Sequence, residues 1–319
     1  MSEVLSMVGQ SQPRVAVLGM TESGRGWATL VSGAGWPVTI YDPDAAQLHS
    51  GEEEIATRKR NSLGSGIPAI RIEREEPGPA EPRLGRSLLD AVTNADWIID
   101  ATAGDLLHRQ RLLEQVERAA RLAAILTCSG PGLSPTDLCA RLRRPTRLLV
   151  AHALDPVEHI PAVEVVPGPL TDPAVLEELR HWLRKLGRLP IVLRKEVPGN
   201  ATGRIAVAVW RECIRLVLDG VLDVRDVDAL ISSGLAPRWA AAGPFQTAYL
   251  DAGERQTAQL SAILRALETR WEGDTSFQLP PAEHQQLIRL IERAYDGEGD
   301  VLKGARDERL AELRRTVGY

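Results

Sequence analysis

His152 and Glu164 are the two residues of this chain whose types and spacing could do chemistry. They lie within residues 149–168, LVAHALDPVEHIPAVEVVPG. The apolar residues before His152 read as the end of a buried strand. A proline-containing turn follows, and a second apolar run carries Glu164. A histidine at a strand end with a carboxylate on the next strand makes an acid–base pair, in which the carboxylate fixes the imidazole tautomer and stabilises its charged form. The same two residues also read as a satisfied structural pair, since ion-pair networks unrelated to function are common. Asp155 follows His152 closely, and a carboxylate so near predicts a shift toward the protonated imidazole.

The elements that must position this pair begin with RVAVLG, residues 14–19, a short apolar run of the kind that forms a buried parallel strand. The turn GMTESG leads into a helix, GRGWATLVSGAG, and then into a strand, WPVTIY, with Asp42 at its end. Strand, glycine turn, helix, strand and acid form the dinucleotide-binding layout, in which the acid accepts from the adenosine ribose hydroxyls and favours NAD over NADP. Here the glycine pattern is GxTxxG. Gly19 and Gly24 are kept, and Thr21 replaces the middle glycine, where a side chain is expected to crowd the phosphates. Glu22 puts a negative charge at the helix N-terminus and is expected to compete with an anionic ligand.

Further along, a charged helix is expected over 44–60, then a Gly- and Pro-rich stretch, 64–86, with one short strand, AIRI. WIIDAT (97–102), 123–127 and 147–151 read as strands, the last delivering His152. Helices are expected over 105–119, from SPTDL onward and over 173–187, and a last strand over 189–194. From Asn200 onward there is no strand pattern; helices are expected at 201–219, 225–233, 255–271, 283–296 and 302–315.

His152, the twelve-residue step to Glu164, the IPAVEVVPGP run and the later KEVPG resemble the 3-hydroxyacyl-CoA dehydrogenase superfamily. Within it, these motifs and GLAPRWAAAGPFQTAYLDAGE resemble the branch of lambda-crystallin and L-gulonate 3-dehydrogenase. The resemblance runs from Arg14 to about Glu254 and is weakest over 46–90. It implies NAD as cofactor, His152 as catalytic base and Glu164 as the acid that orients it. It also implies a helical domain that makes a dimer. The family's VPED motif falls on TAGD, with Asp105 at the acid and Arg109 near the position of a cofactor-side lysine. The serine loop of the family falls on residues 128–133: its hydroxyl position is Pro131, and Ser129 lies two residues earlier. The asparagine of H-P-x-N-P falls on Asp155. The asparagine of P-G-F-x-x-N-R falls on Gly203, with Asn200 three residues before it. A helical arm that covers CoA in the family is eroded here. The departures cluster in the cofactor and substrate cleft, while the scaffold motifs are kept.

The length, 319 residues, allows two domains, and 44% hydrophobic with 25% charged residues describes a globular chain. A net charge of −5 argues against a dedicated nucleic-acid surface. Cys128, Cys139 and Cys213 fit neither a zinc site nor a disulfide framework, so no metal and a reducing cytoplasm are expected. No apolar run reaches membrane-spanning length, and the N-terminus lacks a signal peptide's order. The expected fold is an α/β Rossmann-type domain with a mainly parallel sheet, residues 1–195, followed by an all-α domain, 196–319. The expected activity is NAD-dependent hydride transfer at a 3-hydroxy or 3-oxo acid or its thioester, in a homodimer. Two other readings keep the fold: proton transfer on a carbonyl substrate by the His–Glu pair, as in a lyase, cyclase or dehydratase, and a non-catalytic dimeric binding protein.

Overall fold

The computed structural model describes residues 12–64, 80–241 and the isolated positions 244, 282, 312 and 315. The chain divides into two compact units, one running to Arg204 and the other starting at Ile205.

The strands of the first unit are β1 (Val15–Leu18), β2 (Val38–Tyr41), β3 (Arg83–Leu84), β4 (Trp97–Asp100), β5 (Ile125–Cys128), β6 (Leu148–Ala153), β7 (Ala162–Pro167) and β8 (Leu189–Val192). They form one sheet in the order β3-β2-β1-β4-β5-β6-β7-β8. Every neighbouring pair is parallel except β6 and β7. The residues between those two, 154–161, are too few for a crossover helix, so the chain must double back. The helices are α1 (Glu22–Gly33), α2 (Ala45–Gly64), α3 (Leu88–Val92), α4 (Leu106–Ala119), α5 (Pro135–Leu138), α6 (Pro173–Lys185) and α7 (Asn200–Leu218).

Both faces of the sheet are covered, which is why a central strand such as β1 is apolar and buried at every position rather than at alternate ones. In β1, Val15 and Val17 join a core with Trp27, Ile55 and Leu179, under α1, α2 and α6. Ala16 and Leu18 join the opposite core with Val92, Leu113 and Leu138, under α3, α4 and α5. Trp97 stands edge-on to Trp27 at 5.5 Å and donates its indole N–H to Thr127.

Side chains cap the helices where the sequence offers them: Thr21 for α1, Ser87 for α3, Asp105 for α4, Ser134 for α5 and Asp172 for α6. The short β3 and α3 were not expected, since neither is long enough to show a period. The helix expected from SPTDL is one turn of α-helix followed by 3-10 turns, and the last strand stops at Val192. The expected AIRI strand and the helices at 255–271, 283–296 and 302–315 lie outside the described residues.

In the second unit the described elements are helical: the remainder of α7, α8 (Val224–Leu230) capped by Asp223, a π-helical turn at Ile231–Leu235, and α9 (Ala236–Ala241). Among the described residues no helix is long and apolar enough to cross a membrane.

Candidate functional site

The chain leaves β1 for β2 on one side and later returns to β4 on the other. Ligands of open α/β sheets bind at that reversal, outside the carboxyl ends of the strands. Gly19 sits there at φ +88°, and a Cβ on it would lie 2.6 Å from the Cα of Thr102, beyond β4. A Cβ on Gly24 would lie 1.9 Å from the Gly19 carbonyl oxygen. Both glycines are therefore sterically required, and together they bring the first turn of α1 onto the end of β1.

Thr21 does not have the effect expected of it. Its hydroxyl donates to the Ala101 carbonyl at 2.7 Å and accepts from the Gly24 N–H, so it is turned into the protein and caps α1. The helix end needs such an acceptor, and threonine supplies it. Glu22 also departs from expectation, because its charge is already answered. Arg58 of α2 reaches it at 2.7 Å and Arg25 at 3.4 Å. Burial pushes the Glu22 carboxyl up, but hydrogen bonds and charge from Arg58 and Arg25 outweigh it and hold the pKa below its ordinary value. Arg58 also pairs with Glu54 and with Glu158 in the β6–β7 turn, and these carboxylates raise its pKa against the effect of burial. Asp42 accepts from the backbone N–H groups of Met20 and Asp44 at 2.8 and 3.0 Å. It ties the end of β2 to the glycine turn.

Arg109 is not free for a cofactor. It is buried, with Nη1 on Asp100 at 3.0 Å and Nη2 on the Thr102 carbonyl. Asp100 also accepts from the Thr102 N–H and hydroxyl and from Cys128. A buried carboxylate needs this many donors, and the arginine was recruited to it.

On the substrate side, His152 and Glu164 are direct partners across the antiparallel β6–β7 ladder. Opposed residues share a face, with Cβ atoms roughly 4.5–5.5 Å apart. Glu164 is 2% exposed. Its Oε1 accepts from the backbone N–H of Thr202, in the first turn of α7, at 2.8 Å. His152 Nδ1, Glu164 Oε2 and Asn200 Nδ2 are buried without a hydrogen-bond partner. Burial pushes the His152 pKa below its ordinary value, and the charges of Glu164 and Asp155 oppose that without overcoming it. Asp155 does favour the imidazolium, as expected, but burial outweighs it, so the net shift runs opposite to the expected one. Burial and the charge of Glu22 raise the Asp155 pKa in turn, and His152 opposes that rise.

Ser129 is buried and spends its hydroxyl on Ser23 at 2.9 Å and on the Trp27 indole at 3.1 Å, so it does not stand ready for substrate. Pro131 is exposed on the same loop and has no donor to offer. A Cβ on Gly132 would stand 3.5 Å from Gly199, so this loop adjoins the start of α7. Glu196 fixes the junction by accepting from the hydroxyls of Ser134 and Thr136, each at 2.6 Å. Asn200 is 1% exposed and adopts φ +56°. Gly203 has open space where a side chain would stand.

Sequence reading missed Ser23, Arg58, Glu158 and the Thr202 N–H. Arg58 and Glu158 lie far apart in sequence, and Thr202 acts through its backbone, so no motif marks them. The PGN start of α7 was the one available signal for Thr202.

The model of the 3-hydroxyacyl-CoA dehydrogenase NAD binding domain matches residues 14–197, and that of the 3-hydroxyacyl-CoA dehydrogenase C-terminal domain matches 199–278. The chain is 32% identical to an L-carnitine dehydrogenase of Pseudomonas aeruginosa over 303 residues, covering 94% of this chain and 89% of that protein. It is 30% identical to an L-carnitine dehydrogenase of Bacillus cereus, covering 92% and 87%. In structure it is similar to 5-formyl-3-hydroxy-2-methylpyridine 4-carboxylic acid 5-dehydrogenase, described as an NAD+-dependent dismutase. There the TM-score is 0.80 at 23% identity over 96% of this chain and 99% of that one. A 3-hydroxyacyl-CoA dehydrogenase of Archaeoglobus fulgidus gives a TM-score of 0.65 at 23% identity over the same shares. At that identity both structures speak for the fold alone.

Proposed function

The chain belongs to the 3-hydroxyacyl-CoA dehydrogenase family, and from that premise we propose that it oxidises the 3-hydroxyl of a compact free 3-hydroxy acid, with His152 as the base. It is an NAD-dependent oxidoreductase of that family, and the family favours the redox reading over proton transfer alone or simple binding. The residues at the sheet reversal fit the cofactor: Gly19 and Gly24 keep side chains out of the turn, α1 presents its N-terminus, and Thr21 points inward. When bound, NAD accepts the hydride. Asp42 stands at the end of β2, where an adenosine ribose is received, while Gly19 and Gly24 form the floor under the diphosphate.

The single observation that carries the catalytic assignment is the opposition of His152 and Glu164 across one ladder, each with an unpartnered buried polar atom. Such atoms are costly to leave unpaired. In this reading Nδ1–H of His152 turns to Glu164 Oε2, which fixes the tautomer and leaves Nε2 to take the hydroxyl proton. Burial keeps the imidazole neutral and therefore able to act as a base. Glu164 then stabilises the imidazolium as it forms. Asn200 supplies the amide donor that Gly203 cannot, toward the substrate oxygen.

A free acid is favoured over a thioester because the relatives matched over nine-tenths of the chain are named for L-carnitine, itself a 3-hydroxy acid. Asp155, exposed beside the pair, suits a substrate with a positive group. The assembly is a homodimer, supported by the exposed apolar residues Ile205, Val207 and Trp210 on α7. The experiment is NADH formation by the purified protein with L-carnitine, 3-hydroxybutyrate and 3-hydroxybutyryl-CoA in turn. Turnover of the free acids is expected; turnover of the thioester alone would overturn the substrate class, and equal turnover by His152→Ala would overturn the base.

A further inference from the structure

We propose that Ser23 is a cofactor-binding residue, whose hydroxyl donates a hydrogen bond to the diphosphate of NAD at the end of a relay that starts at Trp27. The inference rests on the NAD-dependent reading above and concerns a residue that no dinucleotide pattern calls for.

The relay follows from hydrogen-bond bookkeeping. The Trp27 indole N–H is a donor only, and it points at Ser129 Oγ at 3.1 Å. Ser129 Oγ is thereby an acceptor, and its own proton must go elsewhere. Ser129 is 2% exposed, so water is not at hand to take that proton. Among the described residues the acceptor recorded for it is Ser23 Oγ, at 2.9 Å. The opposite orientation, with Ser23 donating to Ser129, would leave a buried hydroxyl proton without an acceptor. The chain of donors therefore runs from Trp27 to Ser129 to Ser23. Ser23 receives a hydrogen bond and keeps its own proton to give.

Where that proton can go is set by α1. Ser23 is the second residue of the helix, and unlike Ser129 it is partly exposed. In the first turn the Gly24 N–H is already taken by Thr21 and the Arg25 N–H by the Thr21 carbonyl. The N–H groups of Glu22 and Ser23 precede any intrahelical acceptor, so the helix itself leaves them unsatisfied beside the Ser23 side chain. A helix N-terminus of this kind takes an anion, and the diphosphate is the anion of this cofactor. A hydroxyl that already accepts one hydrogen bond is the better donor, because chains of hydrogen bonds polarise one another. Ser129 is then a positioning residue for the cofactor, acting through Ser23, which accounts for a buried serine in a loop otherwise read as substrate-facing.

The test is binding rather than turnover. Dissociation constants for NADH and for ADP-ribose are measured by calorimetry on the full chain for wild type, Ser23→Ala, Ser23→Thr, Ser129→Ala and the double alanine variant, with thermal melts as controls. Ser23→Ala is expected to weaken both ligands about tenfold, equivalent to roughly 1.4 kcal/mol, and Ser23→Thr to retain most of the affinity. Ser129→Ala is expected to weaken both ligands less, and the double variant to match Ser23→Ala, because the relay ends at Ser23. Wild-type affinity in Ser23→Ala would overturn the proposal while leaving the NAD reading intact. A loss for NADH but not ADP-ribose would overturn the diphosphate as the acceptor. Additive losses in the double variant would overturn the relay. Absence of NADH binding by wild type would instead overturn the reading on which the proposal rests.

Discussion

The Glu164 carboxylate accepts a hydrogen bond from the Thr202 backbone N–H at 2.8 Å, so the partner of His152 on β7 also caps the first turn of α7. The two tasks use different oxygens, Oε1 for the helix and Oε2 for the pair. Substitutions should separate them. Glu164→Gln keeps an acceptor for Thr202 and should stay within about 1 kcal/mol of wild type, whereas Glu164→Ala loses a charge-assisted hydrogen bond worth about 1.5–3 kcal/mol. Both should lose most turnover. Urea denaturation alongside kcat distinguishes the cases; equal destabilisation by both variants would show that the capping bond does not matter.

The pH dependence of oxidation should place its acidic limb below the usual histidine value of about 6.5. Neutral His152 is the active form, so activity is present above its pKa and is lost as pH falls through it. Burial lowers that pKa, and Glu164 and Asp155 oppose the lowering. Asp155→Asn removes one opposing charge and should move the limb further toward acid. A move of the acidic limb of kcat/KM toward higher pH for this variant would mean that Asp155 acts on the histidine by some route other than its charge.

Thr21 and Glu22 should matter less to NADH binding, and more to stability, than their place in the glycine turn suggests. Thr21→Ala removes both an N-cap and the bond to Ala101, at a cost of about 1–2 kcal/mol. NADH affinity should change little. Arg58→Gln is the more harmful change for the cofactor, because it leaves Glu22 and Glu158 without their shared cation near an anionic ligand. Weaker binding by Arg58→Gln, restored when Glu22→Ala is added, is the expected pattern in calorimetry. Tighter binding by Thr21→Ala alone would revive steric crowding as the explanation.

The central strands were legible because they are short, mainly apolar runs, and the cofactor end because Gly19, Gly24 and Asp42 occupy fixed places relative to β1, α1 and β2. The His152–Glu164 pair was legible from one short turn between two strands. What the sequence did not disclose are the partners. Thr21 and Ser129 carry hydroxyls that fit a cleft as well as a cap, and only the fold decides, by bringing Ala101 to one and Trp27 to the other. The pKa of His152 was misjudged because a neighbouring carboxylate is visible in sequence and desolvation is not. Arg109 was assigned to the cofactor by position along α4, but burial of Asp100 determines where its guanidinium goes.

Arg109 gives a sharp contrast between a binding role and a structural one. It and Asp100 form an ion pair in which both side chains are under a tenth exposed. Removing one partner of a buried pair typically costs about 3–5 kcal/mol, because the other charge is left in a medium that solvates it poorly. Arg109→Leu should therefore lower the urea midpoint strongly. The protein that remains folded should bind NADH with nearly unchanged affinity. Asp100→Asn combined with Arg109→Leu should recover part of the loss, since the stranded charge is then gone and the Thr102 hydroxyl still has an oxygen to donate to. A variant Arg109→Leu of normal stability with strongly weakened NADH binding would return this residue to the cofactor site and make its bond to Asp100 incidental.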